Sequence, residues 1–388
     1  MTRYVADRIT QVGRSATVAL LDEVNRLKAQ GISVVNLSGG EPDFTTPPHI
    51  IEAAEAALRS GATHYTPSRG LPALREAISV KLRDCNGVHA DPERGIIVTP
   101  SAKHALYITL ATVLDAGDEV LVPTPSWVSY APMVQLFGAR AVSVPLQPED
   151  DFTLTADRLE DKVTGRTRAI LINTPNNPTG RLLTPAEAAA VARVAVEHDL
   201  VLITDEIYEQ IRYVDRPHLS LASRPGCEER TVTINGFSKG YAMTGWRLGY
   251  AAGPAAVIGE MIKVQEHTVG CAASFTQLAG LAALTGPQAC VQQMVAAYDR
   301  RREALLNAVR RLPGVTCADP EGAFYLFPNI TGSANPTSDG FAGWLLEATG
   351  VVVTPGHAFG LGGEGHVRLS FAASDAVITD TLARLERL

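Results

Sequence analysis

Short runs of β-branched and aliphatic residues alternate with longer stretches in which apolar residues recur at helical spacing. The apolar runs occupy residues 95–99, 118–122, 141–144, 168–173, 201–204, 231–234 and 248–252. Continuous apolar runs of this length are typical of parallel strands that are covered on both faces. The pattern therefore predicts an α/β fold with a mostly parallel central sheet and helices on both of its faces.

The segment between the fourth and fifth runs carries the signals of a helix. Thr184 precedes Pro185, and Glu187 stands three residues after Thr184, which is the spacing of a capping box. Apolar residues follow on one helical face at Ala188, Val191, Val194 and Ala195. The sequence thus predicts a crossover helix between two parallel strands.

The pattern changes near residue 290. A long helical stretch at 291–311 precedes an apolar run at 323–327, a helix at 340–349, a run at 366–371 and a final helix. A chain of 388 residues also exceeds the size that one hydrophobic core usually supports. We expect a large domain at 46–290, a smaller α+β domain at 291–388, and an N-terminal arm, residues 1–45, packing beside the small domain.

The composition of the chain argues against several kinds of binding partner. The net charge of −7 argues against a nucleic acid partner. Five widely spaced cysteines, Cys85, Cys227, Cys271, Cys290 and Cys317, give neither a metal-binding pair nor an even disulfide framework. We therefore expect reduced thiols, no metal and a cytoplasmic protein. The N-terminus has no apolar leader, and no window approaches the about 18 apolar residues of a membrane span, so no membrane partner is expected.

Lys239 lies in a glycine-containing segment, residues 238–250, and Arg247 follows it by eight positions. A lysine amine can form a Schiff base with pyridoxal phosphate, and a guanidinium can grip a phosphate. The segment resembles the cofactor-lysine segment of the class I aminotransferases, the fold-type I pyridoxal phosphate family that includes aspartate aminotransferase. Further motifs follow the family's order, and the resemblance covers nearly the whole chain.

Two of these motifs follow predicted strands, where α/β sheets place ligands. The segment 204–208 supplies Asp205 and Tyr208, which the resemblance places on the pyridine nitrogen and the phenolic oxygen of the cofactor. The segment 173–180 supplies Asn177, whose amide is implied to donate to that phenolic oxygen and to border the substrate. The resemblance thus implies that Lys239, Asp205 and Tyr208 are the catalytic residues.

The loop 99–104 joins a predicted strand to a helix expected from residue 104, and free N–H groups at a helix start can face an anion. The resemblance assigns the phosphate of the cofactor to four residues, Ser101, Ala102, Lys103 and Arg247. Many family members also have a serine three residues before the lysine. This chain departs from the family there, with Gly236, and Ser238 is the expected replacement.

Four further residues complete the resemblance. Trp127 matches the aromatic residue that stacks on the pyridine ring beside the substrate. Tyr65 matches a tyrosine that family members send across an interface to the partner's phosphate, which implies a homodimer with shared active sites. Arg368 matches the arginine that binds the substrate α-carboxylate through two parallel hydrogen bonds, and Gly40 matches a backbone position near the same carboxylate.

The implied reaction moves the amino group of an L-amino acid to a 2-oxo acid, in ping-pong fashion, through a Schiff base of pyridoxal phosphate. A β-eliminating lyase shares the same motifs and stays an alternative. An effector-binding module fused to a DNA-binding domain is disfavoured, because the arm begins almost at residue 1 and the chain is acidic. The donor stays open, since the helix after the phosphate loop has Tyr107, Thr109 and Ala111 on the side where some relatives that prefer dicarboxylic substrates have a basic residue.

Overall fold

The computed structural model describes residues 4–10, 12–14 and 16–388. The helices of these ranges are α1 (Asp7–Thr10), α2 (Ala16–Ala29), α3 (Pro48–Arg59), α4 (Pro72–Lys81), α5 (Ala102–Val113), α6 (Tyr130–Leu136), α7 (Ala156–Glu160), α8 (Pro185–Glu197), α9 (Ala255–Glu266), α10 (Ser274–Thr285), α11 (Ala289–Val309), α12 (Ser338–Thr349) and α13 (Asp375–Leu385). None of them is long and apolar enough to span a membrane.

The strands of the same ranges are β1 (Val35–Asn36), β2 (Ile96–Thr99), β3 (Glu119–Thr124), β4 (Arg140–Pro145), β5 (Thr167–Asn173), β6 (Val201–Asp205), β7 (Thr231–Gly236), β8 (Gly249–Ala252), β9 (Tyr325–Leu326), β10 (Val351–Val352), β11 (Thr354–Pro355) and β12 (Val367–Ser370). Seven of them form the central sheet, in the order β2-β8-β7-β6-β5-β3-β4. Only β8 runs antiparallel to its neighbours in this sheet. The predicted α/β class with a mostly parallel sheet is confirmed.

The crossover helix α8 forms as its sequence signals predict. The Thr184 hydroxyl accepts a hydrogen bond from the Glu187 N–H at 3.2 Å, and the Glu187 carboxylate accepts one from the Thr184 N–H at 2.8 Å. This reciprocal cap satisfies two N–H groups that a helix start leaves without a partner. The predicted apolar face is buried, with Ala188, Val191 and Val194 in the core beneath the sheet.

Several helix and strand ends differ from the sequence-based expectation, and the structure shows the cause of two of these differences. Helix α5 begins at Ala102 rather than at residue 104, because the Ser101 hydroxyl caps it. The strand expected at 323–327 is reduced to Tyr325–Leu326, since Ala323 adopts a left-handed φ of 55° that breaks the extended chain. Both differences arise from local backbone geometry that hydrophobic periodicity does not encode.

The C-terminal part forms a three-stranded antiparallel sheet, in the order β11-β12-β9. Near the N-terminus, β1 pairs in parallel with β10, with Val35 opposite Val351. This pairing supports an N-terminal arm that packs beside the C-terminal part. The division of the chain at residues 45 and 290 stays a prediction.

Candidate functional site

The carboxyl ends of the central parallel strands meet at one edge of the sheet, with Asn173 of β5 beside Asp205 of β6. A cavity of about 670 Å³ opens there. The sequence-predicted residues that line it are Gly40, Ser101, Ala102, Lys103, Trp127, Asn177, Asp205, Tyr208, Ser238, Lys239, Arg247 and Arg368. Tyr65 does not line this cavity, and its side chain is 94% exposed. The fold therefore brings together residues that are more than 300 positions apart in the chain.

Lys239 follows β7 and reaches into the cavity, where its amine donates a hydrogen bond to the carbonyl oxygen of Gly40. Burial lowers the pKa of Lys239 from 10.5 to about 8, because a charged ammonium is poorly solvated there. An appreciable fraction of the amine is then neutral near pH 8. Such an amine can act as a nucleophile toward an aldehyde and as a base toward a nearby C–H group.

Asp205 ends β6 and is buried. Burial raises the pKa of its carboxyl from 3.8 to about 6, and the hydrogen bond that the Tyr130 hydroxyl donates at 2.8 Å partly counteracts this rise. Sequence reasoning did not single out Tyr130, although it lies three residues after Trp127 and packs edge-on against that ring at 5.3 Å. A cationic ligand group placed against Asp205 would favour its ionised form.

The loop before α5 forms a compact cradle against β8. Ser101 has a φ of 104°, and its hydroxyl accepts a hydrogen bond from the His104 N–H at 3.2 Å. A Cβ atom added to Gly249 would lie 2.2 Å from the Ala102 nitrogen, so only glycine lets the strand approach the loop this closely. Arg247 also lines the cavity, so the N-terminal end of α5 and a guanidinium border the same space. This donor set suits a phosphate group.

Gly236, where the chain departs from the family's serine, pairs with Gly249 across β7 and β8. A Cβ atom at Gly236 would lie 2.9 Å from the Gly249 Cα atom and 3.0 Å from the Leu248 carbonyl oxygen. A side chain is therefore crowded at this position. Ser238 borders the cavity, and its role as the replacement stays a prediction.

Arg368 lies in β12 and is 2% exposed. It donates to the Asn177 side-chain oxygen at 2.9 Å and to the Ser38 carbonyl oxygen at 2.7 Å. Its Nε atom has no hydrogen-bond partner among the described residues. A buried guanidinium with an unused donor is suited to a carboxylate, and Asn177 keeps its NH₂ group as a donor.

Sequence reasoning missed Tyr325, which also lines the cavity. Its hydroxyl lies 2.9 Å from the Tyr208 hydroxyl, and its ring centre lies 4.4 Å from the central guanidinium carbon of Arg368. It also missed the contribution of α2, which lines the cavity with Val18 and Leu21. No local motif marks these residues, because they reach the cavity only through the packing of distant segments.

A second polar cluster lies behind the cavity. Glu206 is fully buried next to Asp205 and accepts hydrogen bonds from His218 at 2.9 Å and Asn86 at 3.2 Å. Glu209 contacts the Lys81 ammonium and accepts from Asn86 at 2.7 Å. Glu206, Glu209 and His218 bring three possible metal ligands within 4.8 Å of one another, but Lys81 already provides a cation there. The cluster fixes the turn that carries Asp205 and Tyr208.

The profile of the family described as Aminotransferase class I and II matches residues 32–385. The chain belongs to this family. It is 49% identical over 372 residues, 96% of its length, to the aspartate aminotransferase of Musicola paradisiaca, of which it covers 93%. It is 42% identical over 387 residues to aromatic-amino-acid aminotransferase 2 of Thermococcus litoralis, with 99% and 98% of the two chains covered.

Solved structures agree with this membership. The aspartate aminotransferase of Thermus thermophilus, solved with maleate, superposes with a TM-score of 0.94 at 42% identity, with both chains covered completely. The chain is therefore an aminotransferase that transfers the amino group of an L-amino acid to a 2-oxo acid with pyridoxal phosphate as cofactor. The β-eliminating alternative finds no support among these relatives.

The cavity fits this cofactor. Pyridoxal phosphate, when bound, supplies an aldehyde carbon that takes up the amino group and a ring that withdraws electrons from it. The cradle at Ser101 and Ala102 matches the phosphate, the carboxylate of Asp205 matches a protonated ring nitrogen, and the amine of Lys239 matches the aldehyde. The protein's own contribution is to position these groups and to keep the amine of Lys239 partly neutral.

Proposed function

We propose that this aminotransferase acts on dicarboxylic substrates, with L-aspartate as donor. The observation that carries the proposal is the charge of the cavity lining. Four cationic side chains, Lys103, Lys239, Arg247 and Arg368, line the cavity with two carboxylates, Glu41 and Asp205. A cavity with this excess of positive charge favours ligands that carry several negative charges.

Each cation has a proposed partner. Lys239 carries the cofactor, Arg247 holds its phosphate together with Ser101 and Ala102, and Arg368 binds the α-carboxylate of the substrate. Asp205 and Tyr208 contact the ring nitrogen and the phenolic oxygen, as the family resemblance implies. Lys103, which the family resemblance places at the phosphate, is proposed to bind a second carboxylate instead.

Lys103 suits a substrate contact for two reasons. Its ammonium lies 4.8 Å from the ring centre of Trp127, which the resemblance places beside the substrate. Within the described ranges its ammonium makes no ion pair, and both partial burial and the nearby charge of Arg247 lower its pKa. A carboxylate there would relieve this repulsion. The relatives named aspartate aminotransferase favour the same substrate class.

The proposed active assembly is a homodimer. Tyr65 is 94% exposed, as expected for a tyrosine that serves a partner's cavity. Beside Arg247 a cleft of about 620 Å³ presents Phe44, Trp246 and Phe275, and apolar clefts of this kind suit contact with a second copy. The cytoplasmic location stays a prediction.

The test compares donors in the wild type, Lys103→Gln and a control, Lys162→Gln, whose exposed lysine does not line the cavity. With 2-oxoglutarate as acceptor, Lys103→Gln should lower kcat/KM for L-aspartate by about 10-fold, the value of a hydrogen bond to a charged group. Its kcat/KM for L-alanine and L-tyrosine should stay within about 2-fold, and Lys162→Gln should match the wild type. An equal loss for all donors, with weaker cofactor binding, would assign Lys103 to the phosphate instead.

The relative named aromatic-amino-acid aminotransferase supports aromatic donors as the second candidate. The apolar wall formed by Val18 and Leu21 of α2 favours this candidate, because it would contact a large apolar side chain. A wild-type kcat/KM for L-tyrosine above that for L-aspartate would establish the aromatic class. A donor screen on the purified wild type therefore separates the two candidates.

A further inference from the structure

Tyr325 contacts several parts of the cavity at once. Its side chain is 1% exposed, and its hydroxyl lies 2.9 Å from that of Tyr208. Its ring centre lies 4.4 Å from the guanidinium carbon of Arg368. A Cβ atom on Gly40 would lie 2.8 Å from the Tyr325 hydroxyl, and the Gly40 carbonyl accepts the hydrogen bond of Lys239. One side chain of the C-terminal part therefore touches the residues assigned to substrate and cofactor.

We propose that Tyr325 is a positioning residue for amino-group transfer: its ring orients the Arg368 guanidinium for the substrate carboxylate, and its hydroxyl fixes the hydroxyl of Tyr208. This inference rests on the proposed roles of Arg368 and Tyr208. It adds a residue that neither the sequence motifs nor the names of the relatives assign.

The ring acts on Arg368 because the guanidinium is buried and lacks a carboxylate partner in the described part of the chain. Asn177 and Ser38 take two of its N–H donors. The faces of Tyr325, at 4.4 Å, and Phe359, at 4.8 Å, stabilise the cation and fix its plane. The remaining donors are then held in one orientation before a carboxylate arrives, which reduces the entropy lost on binding.

The hydroxyl acts on Tyr208 because each phenol has only one proton to donate. Once Tyr208 donates to the phenolic oxygen of the cofactor, its own oxygen can accept the proton of Tyr325. Both side chains are buried, at 5% and 1% exposure, so water does not readily replace this partner. A hydroxyl that accepts one hydrogen bond becomes a stronger donor in the next. Tyr325 therefore strengthens the contact that Tyr208 makes.

Two neighbouring tyrosines provide matched controls. Tyr298 is also 1% exposed and packs against Phe324 at 5.7 Å, but its hydroxyl has no partner among the described residues. Tyr213 donates to the Ala323 carbonyl oxygen at 2.6 Å, two residues before Tyr325. Tyr298→Phe thus tests removal of a buried hydroxyl, and Tyr213→Phe tests loss of a hydrogen bond to the segment that carries Tyr325. Neither control residue lines the cavity.

The experiment uses the holoenzymes of the wild type, Tyr325→Phe, Tyr325→Leu and the two controls. Maleate, a non-reacting dicarboxylate, is titrated in, and the visible absorbance of the bound cofactor is followed against pH without substrate. Tyr325→Leu should bind maleate about 10-fold more weakly, because a buried cation loses an aromatic face. Tyr325→Phe keeps the face and should stay within about 2-fold of the wild type.

The absorbance titration should move to higher pH in Tyr325→Phe. A weaker donor at Tyr208 leaves more negative charge on the phenolic oxygen, so the titrating proton is held more tightly. In both control variants, the absorbance should change over the same pH range as in the wild type. A change of melting temperature alone would indicate only a packing role for Tyr325.

The maleate titration tests the role of the Tyr325 ring, and the absorbance titration tests the role of its hydroxyl. Unchanged maleate affinity in Tyr325→Leu overturns the role of the ring, and an unchanged titration in Tyr325→Phe overturns the role of the hydroxyl. Arg368→Ala serves as the reference for the proposed function. If Arg368→Ala binds maleate as the wild type does, the assignment of the carboxylate to Arg368 fails, whatever the Tyr325 variants show.

Discussion

Asp205→Asn should stabilise the apoprotein above pH 6, although it removes the carboxylate that we propose contacts the ring nitrogen of the cofactor. Burial raises the pKa of Asp205 from 3.8 to about 6, so the folded chain holds this proton more tightly than the unfolded chain. The stability cost of the ionised carboxylate is therefore fully present above pH 6, decreases as pH falls from 6 to 3.8, and is absent below that. A difference of about 2 between the two pKa values corresponds to about 3 kcal/mol.

The assay is urea unfolding of the apoprotein at fixed protein concentration between pH 4 and pH 8. Asparagine has nearly the same shape and keeps an oxygen that can accept from Tyr130. The free energy of unfolding of Asp205→Asn should exceed that of the wild type by up to about 3 kcal/mol at pH 8 and match it at pH 4.

Glu187→Gln is the matched control, because Glu187 is also buried but donors from Arg181 and the backbone hold its pKa below the ordinary value. Its ionised form stabilises the fold, and this stabilisation is lost as pH falls through the folded pKa, so Glu187→Gln should be less stable than the wild type at pH 8. If the difference in free energy of unfolding between Asp205→Asn and the wild type does not change from pH 4 to pH 8, the reasoning is refuted. In the holoenzyme, Asp205→Asn should slow the half-reaction by on the order of 10², since a positioned electrostatic partner is lost.

Four further outcomes follow from the site. Lys239→Ala should lose the visible absorbance of the lysine-bound cofactor. In the wild type, borohydride should fix the cofactor on the peptide that contains Lys239 and on no other. In the apoprotein the rate at which Lys239 takes up pyridoxal phosphate should rise with a midpoint near pH 8, because burial lowers its pKa to about 8; a midpoint near the ordinary 10.5 would contradict this. Arg368→Ala should weaken the binding of an amino acid donor and of its 2-oxo acid acceptor alike, by about 2 to 5 kcal/mol, which the concentration dependence of the two half-reaction rates can measure. Mixed Tyr65→Phe and Lys239→Ala subunits should regain activity if Tyr65 serves the partner's cavity, and a fully active monomer in size-exclusion chromatography would exclude that role.

The sequence by itself determined the fold class and predicted most of the residues that line the cavity. Apolar runs such as 201–204 are short and continuous, and hydrophobic burial on both faces of a parallel sheet requires that pattern. Asp205 ends a strand, Asn177 and Lys239 follow strands, and strand ends converge at one edge of such a sheet. Their presence in one cavity follows from local order along the chain and from sheet topology.

The tertiary structure alone decided which side chains complete those motifs. Tyr130 meets Asp205 across 75 positions, and Tyr325 meets Tyr208 across 117 positions. Neither contact leaves a periodic or local signal, because it depends on how separate elements pack and not on the residues beside them. The shifted pKa values of Asp205 and Lys239 also depend on the tertiary structure. They arise from desolvation, which exists only once the chain has folded around the carboxylate and the amine.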